Sequence, residues 1–276
     1  MADLDDPRPG AAPPQLQQLL TDASLVLTVR GRRADVVLAA AQRRNPQTPA
    51  TWRAFAALTD WLDTRADVVV LRAQGATFSA GLDRRAFTPE GVPGELSLPA
   101  LAALDDEQLD TTIAQYQHGF TGWGQGSFVS IAAVQGHAIG AGFQLALACD
   151  LRIAADDVQF AMRETALGLV PDLGGTLPLV EAVGYPRALE ICATGRFVGA
   201  AESLACGLVQ EVVPAAELAG AVDRLADTLL DGDAGAIAAT KALLRGALSR
   251  DGVQQRAAER RAQAERLRRL AAGTAG

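Results

Sequence analysis

The stretch from Ser130 to Thr176 constrains this chain most. It opens as SIAAVQGHAIGAGFQLALACD and closes as FAMRETALGLVPDLGGT. A β-rich apolar run enters a Gly-x-Gly turn at Gly140 and Gly142, and helix-forming residues follow at once. That order specifies strand, tight turn, helix. The N–H groups at a helix start favour developing negative charge. Two carboxylates, Glu164 and Asp172, come next in Gly/Pro-punctuated sequence, and carboxylates near a reacting carbon can move protons. These are the parts from which an enolate is made and quenched.

The flanking sequence repeats the same grammar. SLVLTV (24–29) and DVVLAAA (35–41) read as two strands joined by the polar turn GRRA. Thr48 is placed to cap a helix whose first residue is Pro49, and Trp52, Phe55, Leu58, Trp61 and Leu62 recur at helical spacing. DVVVLRA (67–73) is strand-like and runs into GATFSAGLD. FVSIAAV leads to the two glycines and a helix over 141–149, and LRIAA (151–155) is a short buried strand. The order ββα, then repeated βα, predicts a mixed α/β layered protein. TPEGVPGELSLP, within residues 88–104, carries Pro and Gly without period and predicts a loop. Loops of that length are uncommon unless functional. A helix over 105–117 follows it.

Composition excludes several classes. The net charge of −7 and the pI near 4.9 leave no general polyanion-binding face, so no nucleic-acid partner is expected. The apolar runs are too short to cross a bilayer, so no membrane partner is expected. MADLDDPRPGAAPPQ is acidic and Pro-rich without an apolar signal core, and reads as a flexible leader. Cys149, Cys192 and Cys206 have no metal-like spacing. They read as reduced core thiols of a cytoplasmic protein, with no metal site. QQRAAERRAQAERLRRL predicts a highly charged helix near the C-terminus.

Three ordered blocks carry a resemblance. GATFSAGLD, AAVQGHAIGAGFQLALACDLRIAADDVQFAMRETALGLVPDLGGT and AVGYPRALEICATGRFVGAAESLACGLVQEVVP resemble the crotonase superfamily, the enoyl-CoA hydratase/isomerase family, and the likeness spans residues 24–245. The resemblance implies an α/β spiral of ββα repeats with a helical C-terminal trimerisation region. On that plan residues 1–20 are the leader, 21–205 the spiral core and 206–276 the C-terminal helices. It also implies a homotrimer or a hexamer made of two trimers. The implied ligand is an acyl-CoA thioester, with coenzyme A as part of the substrate and no separate cofactor. The thioester oxygen would sit in an oxyanion hole formed by the backbone N–H groups of Leu82 and Ala141. Ala80, Gly81, Asp83, Gly140 and Gly142 would line the substrate around it.

The chemistry turns on three side chains. The family's hydratases hold one water between two glutamates, and the first of those places is occupied here by Gln144. A glutamine can orient a water but cannot act as a general base. The second place is Glu164. Asp172 stands where family members that shift double bonds often carry an acid, although Pro-Asp-x-Gly-Gly also suits a turn or a helix N-cap. If Glu164 and Asp172 share a pocket, burial and repulsion raise one pKa above the other. Double-bond isomerisation is therefore the favoured reading, with Glu164 as principal acid/base and Asp172 as its possible partner. Hydration by Glu164 assisted by Gln144 is the first rival, and a non-catalytic acyl-CoA binder the second. His118 and His137 receive no role. Arg84 and Arg85 are candidates for CoA phosphates. Phe87, Leu96, Leu98, Phe120 and Trp123 are candidates for acyl-pocket walls.

Overall fold

The computed structural model describes residues 11–273. Residues 1–10 of the expected leader and the last three residues of the chain lie outside the described residues. From Pro14 the expected leader is not loose. Pro14–Asp22 is a helix with Pro at its start, and its Leu16 and Leu20 are buried in the main core. Two leucines one helical turn apart supply the apolar stripe that docks it.

The central layer is a six-stranded sheet. In spatial order its strands are Leu25–Arg30, Arg33–Leu38, Val68–Ala73, Val129–Val134, Leu151–Ala155 and Glu211–Val213. The first pair is an antiparallel hairpin and all later pairings are parallel. Parallel strands carry helices on both faces and read as continuous apolar runs. DVVVL and SIAAV do so for that reason. Val69, Leu71, Ala132 and Val134 join the core cluster of Trp52, Phe55, Phe128 and Phe143. Val68, Val70, Ile131 and Ala133 face the other way, onto Leu218, Ala221, Val222 and Ala226 of the helix Leu218–Leu230.

After each of several sheet strands the chain makes a second, shorter strand that leaves the large sheet. Gly81–Leu82 pairs in parallel with Pro46–Gln47. His137–Ile139 pairs in parallel with Gln159–Ala161, which pairs antiparallel with Val198–Gly199. Strand, short strand, helix, repeated along the chain, is the expected ββα spiral. The boundary expected at residue 206 falls inside it: Glu211–Val213 is a strand of the large sheet, and Leu218–Leu230 covers that sheet. The helices beyond the sheet are Ala234–Ala247 and Gly252–Gly273.

Local chemistry explains the elements that frame the site. Thr48 and Thr51 form a capping box on the helix Pro49–Leu62. The helix expected over 105–117 runs from Asp106 to Gln125, capped by Asp105. It packs against Pro49–Leu62 through edge-on contacts of Trp52, Tyr116 and Phe120 and of Phe55 with Trp123. Phe120 and Trp123 are thus fully enclosed core residues and not open pocket walls. Within the expected 88–104 loop, Leu98–Ala102 forms a short helix, and Arg53 ties the loop down through a bidentate ion pair with Glu95.

Candidate active site

Two short strands bring the Gly-rich loops together. Ser79 donates its N–H to the His137 carbonyl (3.0 Å) and accepts from Ile139 N–H (3.0 Å). The loop after Phe78 therefore runs beside the loop that ends in Gly140. At Gly81 (φ +82°) an added Cβ would lie 2.4 Å from the Ile139 oxygen and 3.3 Å from the Ala141 nitrogen. Only glycine accepts both that dihedral and that contact. Leu82 is next in the chain. Ala141 is the first residue of the helix Ala141–Ala148, so its N–H has no intrahelical acceptor. Gly142 lies against the Ser79 carbonyl. Ala80 is exposed at the lip of this junction.

Gly140 links the junction to the acid. Its φ of +53° turns the chain into the helix, and its open side faces Glu164: an added Cβ would lie 3.4 Å from Oε1 and 3.8 Å from Oε2. Oε1 accepts a hydrogen bond from Gln144 Nε2 at 2.8 Å. Oε2 is buried and has no hydrogen-bond partner. Burial is the largest cause of a raised Glu164 pKa; the Gln144 hydrogen bond opposes it and the charge of Asp172 adds to it. Asp172 is also pushed up, again by burial.

Gln144 is a brace. Its side-chain oxygen accepts from Leu173 N–H (2.9 Å) and Gly175 N–H (3.3 Å), while its nitrogen holds Glu164. The residue is 1% exposed. It locks the turn carrying Asp172 to the loop carrying Glu164. From the other side, Gln117 Nε2 donates to the Asp172 main-chain oxygen at 2.7 Å. The N-cap of the following helix, Thr176–Val183, is Gly175 and receives no side-chain bond. Asp172 therefore does not cap that helix.

Other expected residues are placed elsewhere or already engaged. Asp83 caps the short turn Arg84–Phe87 and pairs with Arg85 through both carboxylate oxygens, with Arg43 nearby. The Arg85 hydrogen bond is the largest cause of its lowered pKa. Arg85 is thereby held, and Arg84 stays exposed. His118 lies outside the junction at 3.3 Å from Asp60, and His137 is exposed beside Phe197. Cys149 is buried and its thiol is pushed up to about 12, an inert core group. Lys241 reaches the Phe128 carbonyl (2.6 Å) and Asp150 (2.7 Å) and fastens its helix to the spiral. Among the described residues no His/Cys/Asp/Glu group has a metal-holding arrangement, and no helix is long and apolar enough to cross a membrane.

Sequence reasoning missed Gln47. It is 1% exposed and donates from Nε2 to Ser79 Oγ (3.2 Å) and to the Ala141 carbonyl (3.3 Å). No local pattern marks it, because its partners lie 32 and 94 residues away.

A ββα spiral whose Gly-rich loops meet beside a half-buried glutamate defines a crotonase-type protein. The comparisons agree. The model of the family described as enoyl-CoA hydratase/isomerase matches residues 52–271. The probable enoyl-CoA hydratase EchA17 of Mycobacterium tuberculosis is 33% identical over 219 residues, covering 79% of this chain and 78% of that protein. A Thermobifida fusca YX structure in complex with CoA is 46% identical and superposes with a TM-score of 0.87 over 92% of this chain and 96% of that chain. The same organism supplies a complex with acetoacetyl-CoA, also 46% identical with a TM-score of 0.87, over 91% and 98% of the two chains. The chain belongs to the enoyl-CoA hydratase/isomerase family, and it is an enzyme of the crotonase superfamily.

Proposed function

We propose that the protein is a cytoplasmic enzyme that binds an enoyl-CoA thioester and moves its double bond. The thioester oxygen lies between the N–H groups of Leu82 and Ala141, and Glu164 exchanges protons with the acyl chain. Support for the ligand class comes from the Thermobifida fusca relatives solved with CoA and acetoacetyl-CoA. Support for the oxyanion hole comes from the approach of Gly81 to the Ala141 nitrogen. Asp83 N–H bonds to the Gln47 carbonyl, and successive N–H groups of a strand point to opposite sides. The Leu82 N–H therefore points away from Gln47. One such donor is worth about 3 kcal/mol in the transition state.

The observation that carries the reaction type is the state of Gln144. Its oxygen is spent on Leu173 and Gly175 and its nitrogen on Glu164, which supports a site where one carboxylate, rather than two, handles protons. What stands at Gly140 is one carboxyl with an orphan oxygen, and a second acid, Asp172, close enough to raise its pKa. In the proposed cycle ionised Glu164 takes a proton from C2 of a 3-enoyl thioester. The C2 electron pair moves into the carbonyl, and charge collects on the oxygen held by the two amides. A proton returned at C4 by Glu164 gives the 2-enoyl product and leaves Glu164 ionised as it began. Where neutral Asp172 supplies the C4 proton instead, the proton held by Glu164 must pass to Asp172 through solvent before the next turnover, and with that transfer atoms and charge balance over the cycle. For the CoA phosphates exposed Arg84 is favoured over Arg85, because Arg85 is paired to Asp83.

The names of relatives support a second reading, hydration of a 2-enoyl thioester. The two separate in deuterated water. Isomerisation of 3-hexenoyl-CoA moves the double bond and places deuterium at C2 or C4 to the extent that the carboxyl proton exchanges with solvent. Hydration of 2-hexenoyl-CoA gives a 3-hydroxyacyl product. Hydration without isomerisation overturns the favoured reading.

A further inference from the structure

Gln47 sits in the two-residue strand Pro46–Gln47 that pairs with Gly81–Leu82. Its groups brace both loops at once. The main-chain carbonyl accepts from Asp83 N–H at 2.8 Å. The side-chain nitrogen donates to Ser79 Oγ and to the Ala141 carbonyl, and the side-chain oxygen accepts from the Trp52 indole N–H at 2.9 Å. Ser79 Oγ in turn accepts from Gly81 N–H (3.2 Å) and donates to the Asn45 carbonyl (2.7 Å). Leu82 is thus held on both sides through Gln47: Asp83 directly, Gly81 by way of Ser79. The same side chain reaches the first residue of the helix that presents the Ala141 N–H. A primary amide is suited to this place because it has two donors and an acceptor. A carboxylate lacks the donors, and a hydrocarbon lacks everything but the volume.

We infer that Gln47 is a positioning residue for the reaction: it sets the spacing of the Leu82 and Ala141 amides, and so the polarisation of the thioester carbonyl, without touching substrate. The inference rests on the oxyanion reading above. A misplacement of about 1 Å remote from the reacting atoms costs on the order of a hundredfold in rate, and the brace spans the only two donors that reading assigns.

The test compares Gln47→Met, which keeps volume and loses the donors, with Gln47→Glu, which keeps shape and puts charge beside the Ala141 carbonyl. Three readouts are needed: turnover of 3-hexenoyl-CoA, the Kd of free CoA, and the thioester carbonyl frequency of bound 2-hexenoyl-CoA by isotope-edited infrared difference spectroscopy. On binding to the wild-type protein the frequency falls. In Gln47→Met most of that fall is lost, kcat drops on the order of 10- to 100-fold, and the Kd of CoA stays within about threefold, inside the range of a small contact change. Gln47→Glu is hit harder than Gln47→Met; a packing role alone would rank them by volume and treat them alike. Should Gln47→Glu not fold, Gln47→Met decides. A wild-type shift that Gln47→Met retains, with kcat intact, overturns the inference and spares the oxyanion reading. A wild-type protein that leaves the carbonyl frequency unmoved overturns both.

Discussion

At the scale of single residues, the site is governed by what burial does to Glu164. Desolvation favours its neutral form, so its pKa lies above the ordinary glutamate value. Proton abstraction needs the ionised form, and kcat/KM should therefore fall as pH drops through that raised value. Replacing Asp172 by Asn removes a charge that disfavours ionisation, so the acidic limb of the pH–rate profile should move to lower pH. An unmoved limb would show that the two groups do not sense each other. Glu164→Gln should lower turnover by about 10²- to 10⁴-fold, the usual contribution of a positioned acid/base. The same substitution should raise stability. A carboxyl whose folded pKa is raised binds more protons in the native than in the unfolded state. Wild-type stability consequently declines as pH climbs from the unfolded glutamate range through the folded value. The Gln variant escapes that decline, so its Tm should exceed the wild-type Tm at neutral pH, with the gap closing near pH 4.5, the unperturbed value. A Tm gap that is constant with pH would argue against an acid whose charged form is penalised by burial. Glu164 was legible because it stands alone in an apolar run after the glycines. The brace made by Gln144 was not, since sequence shows the missing carboxylate but not the three partners that use the amide.

At the scale of elements, each strand of the large sheet is marked by its own composition, because burial on both faces demands an unbroken apolar run. The strands of the small sheets carry two or three residues each and leave no periodicity to read. They are defined by pairing with strands distant in sequence, a long-range fact. The helix bearing Lys241 shows the same division: its helicity is local, its docking is not. Lys241 and Asp150 are 10% and 17% exposed, with the Lys241 nitrogen 5.5 Å from the Phe128 ring centre. Removing one partner of a buried pair typically costs about 3–5 kcal/mol. Asp150 keeps Ser130 N–H and Oγ as donors, which places Lys241→Met at the lower end, about 3 kcal/mol by urea unfolding. Limited proteolysis should then release the segment from Ala234 onward before the core unfolds. Equal protease resistance in both proteins would mean that other contacts hold that helix.

At the scale of the whole molecule, several large apolar side chains between Leu167 and Tyr185 stand exposed. Leu167 is 59% exposed, Val170 69%, Leu177 65% and Tyr185 66%. Leu167, Leu177 and Tyr185 belong to the turn Thr165–Leu167 and the helices Thr176–Val183 and Tyr185–Thr194, the last of which packs on the other two, and Val170 lies in the loop between the turn and the first helix. Exposed apolar groups gathered on neighbouring elements suit an association surface, and identical chains associate with closed symmetry. The expected occupant is a second copy of this chain, in the trimer or pair of trimers that the family resemblance implies. Light scattering should return a mass three or six times the 28.7 kDa of one chain. Glutamates at Val170 and Leu177 together should bring it down to a single chain. The patch includes Leu167 and Val170 of the segment from Glu164 to Asp172, which Gln144 and Gln117 tie down, so the dissociated variant should lose kcat more than CoA affinity. A wild-type chain that is monomeric at micromolar concentration and fully active would remove the trimer, and with it any share of the assembly in holding the acid in place.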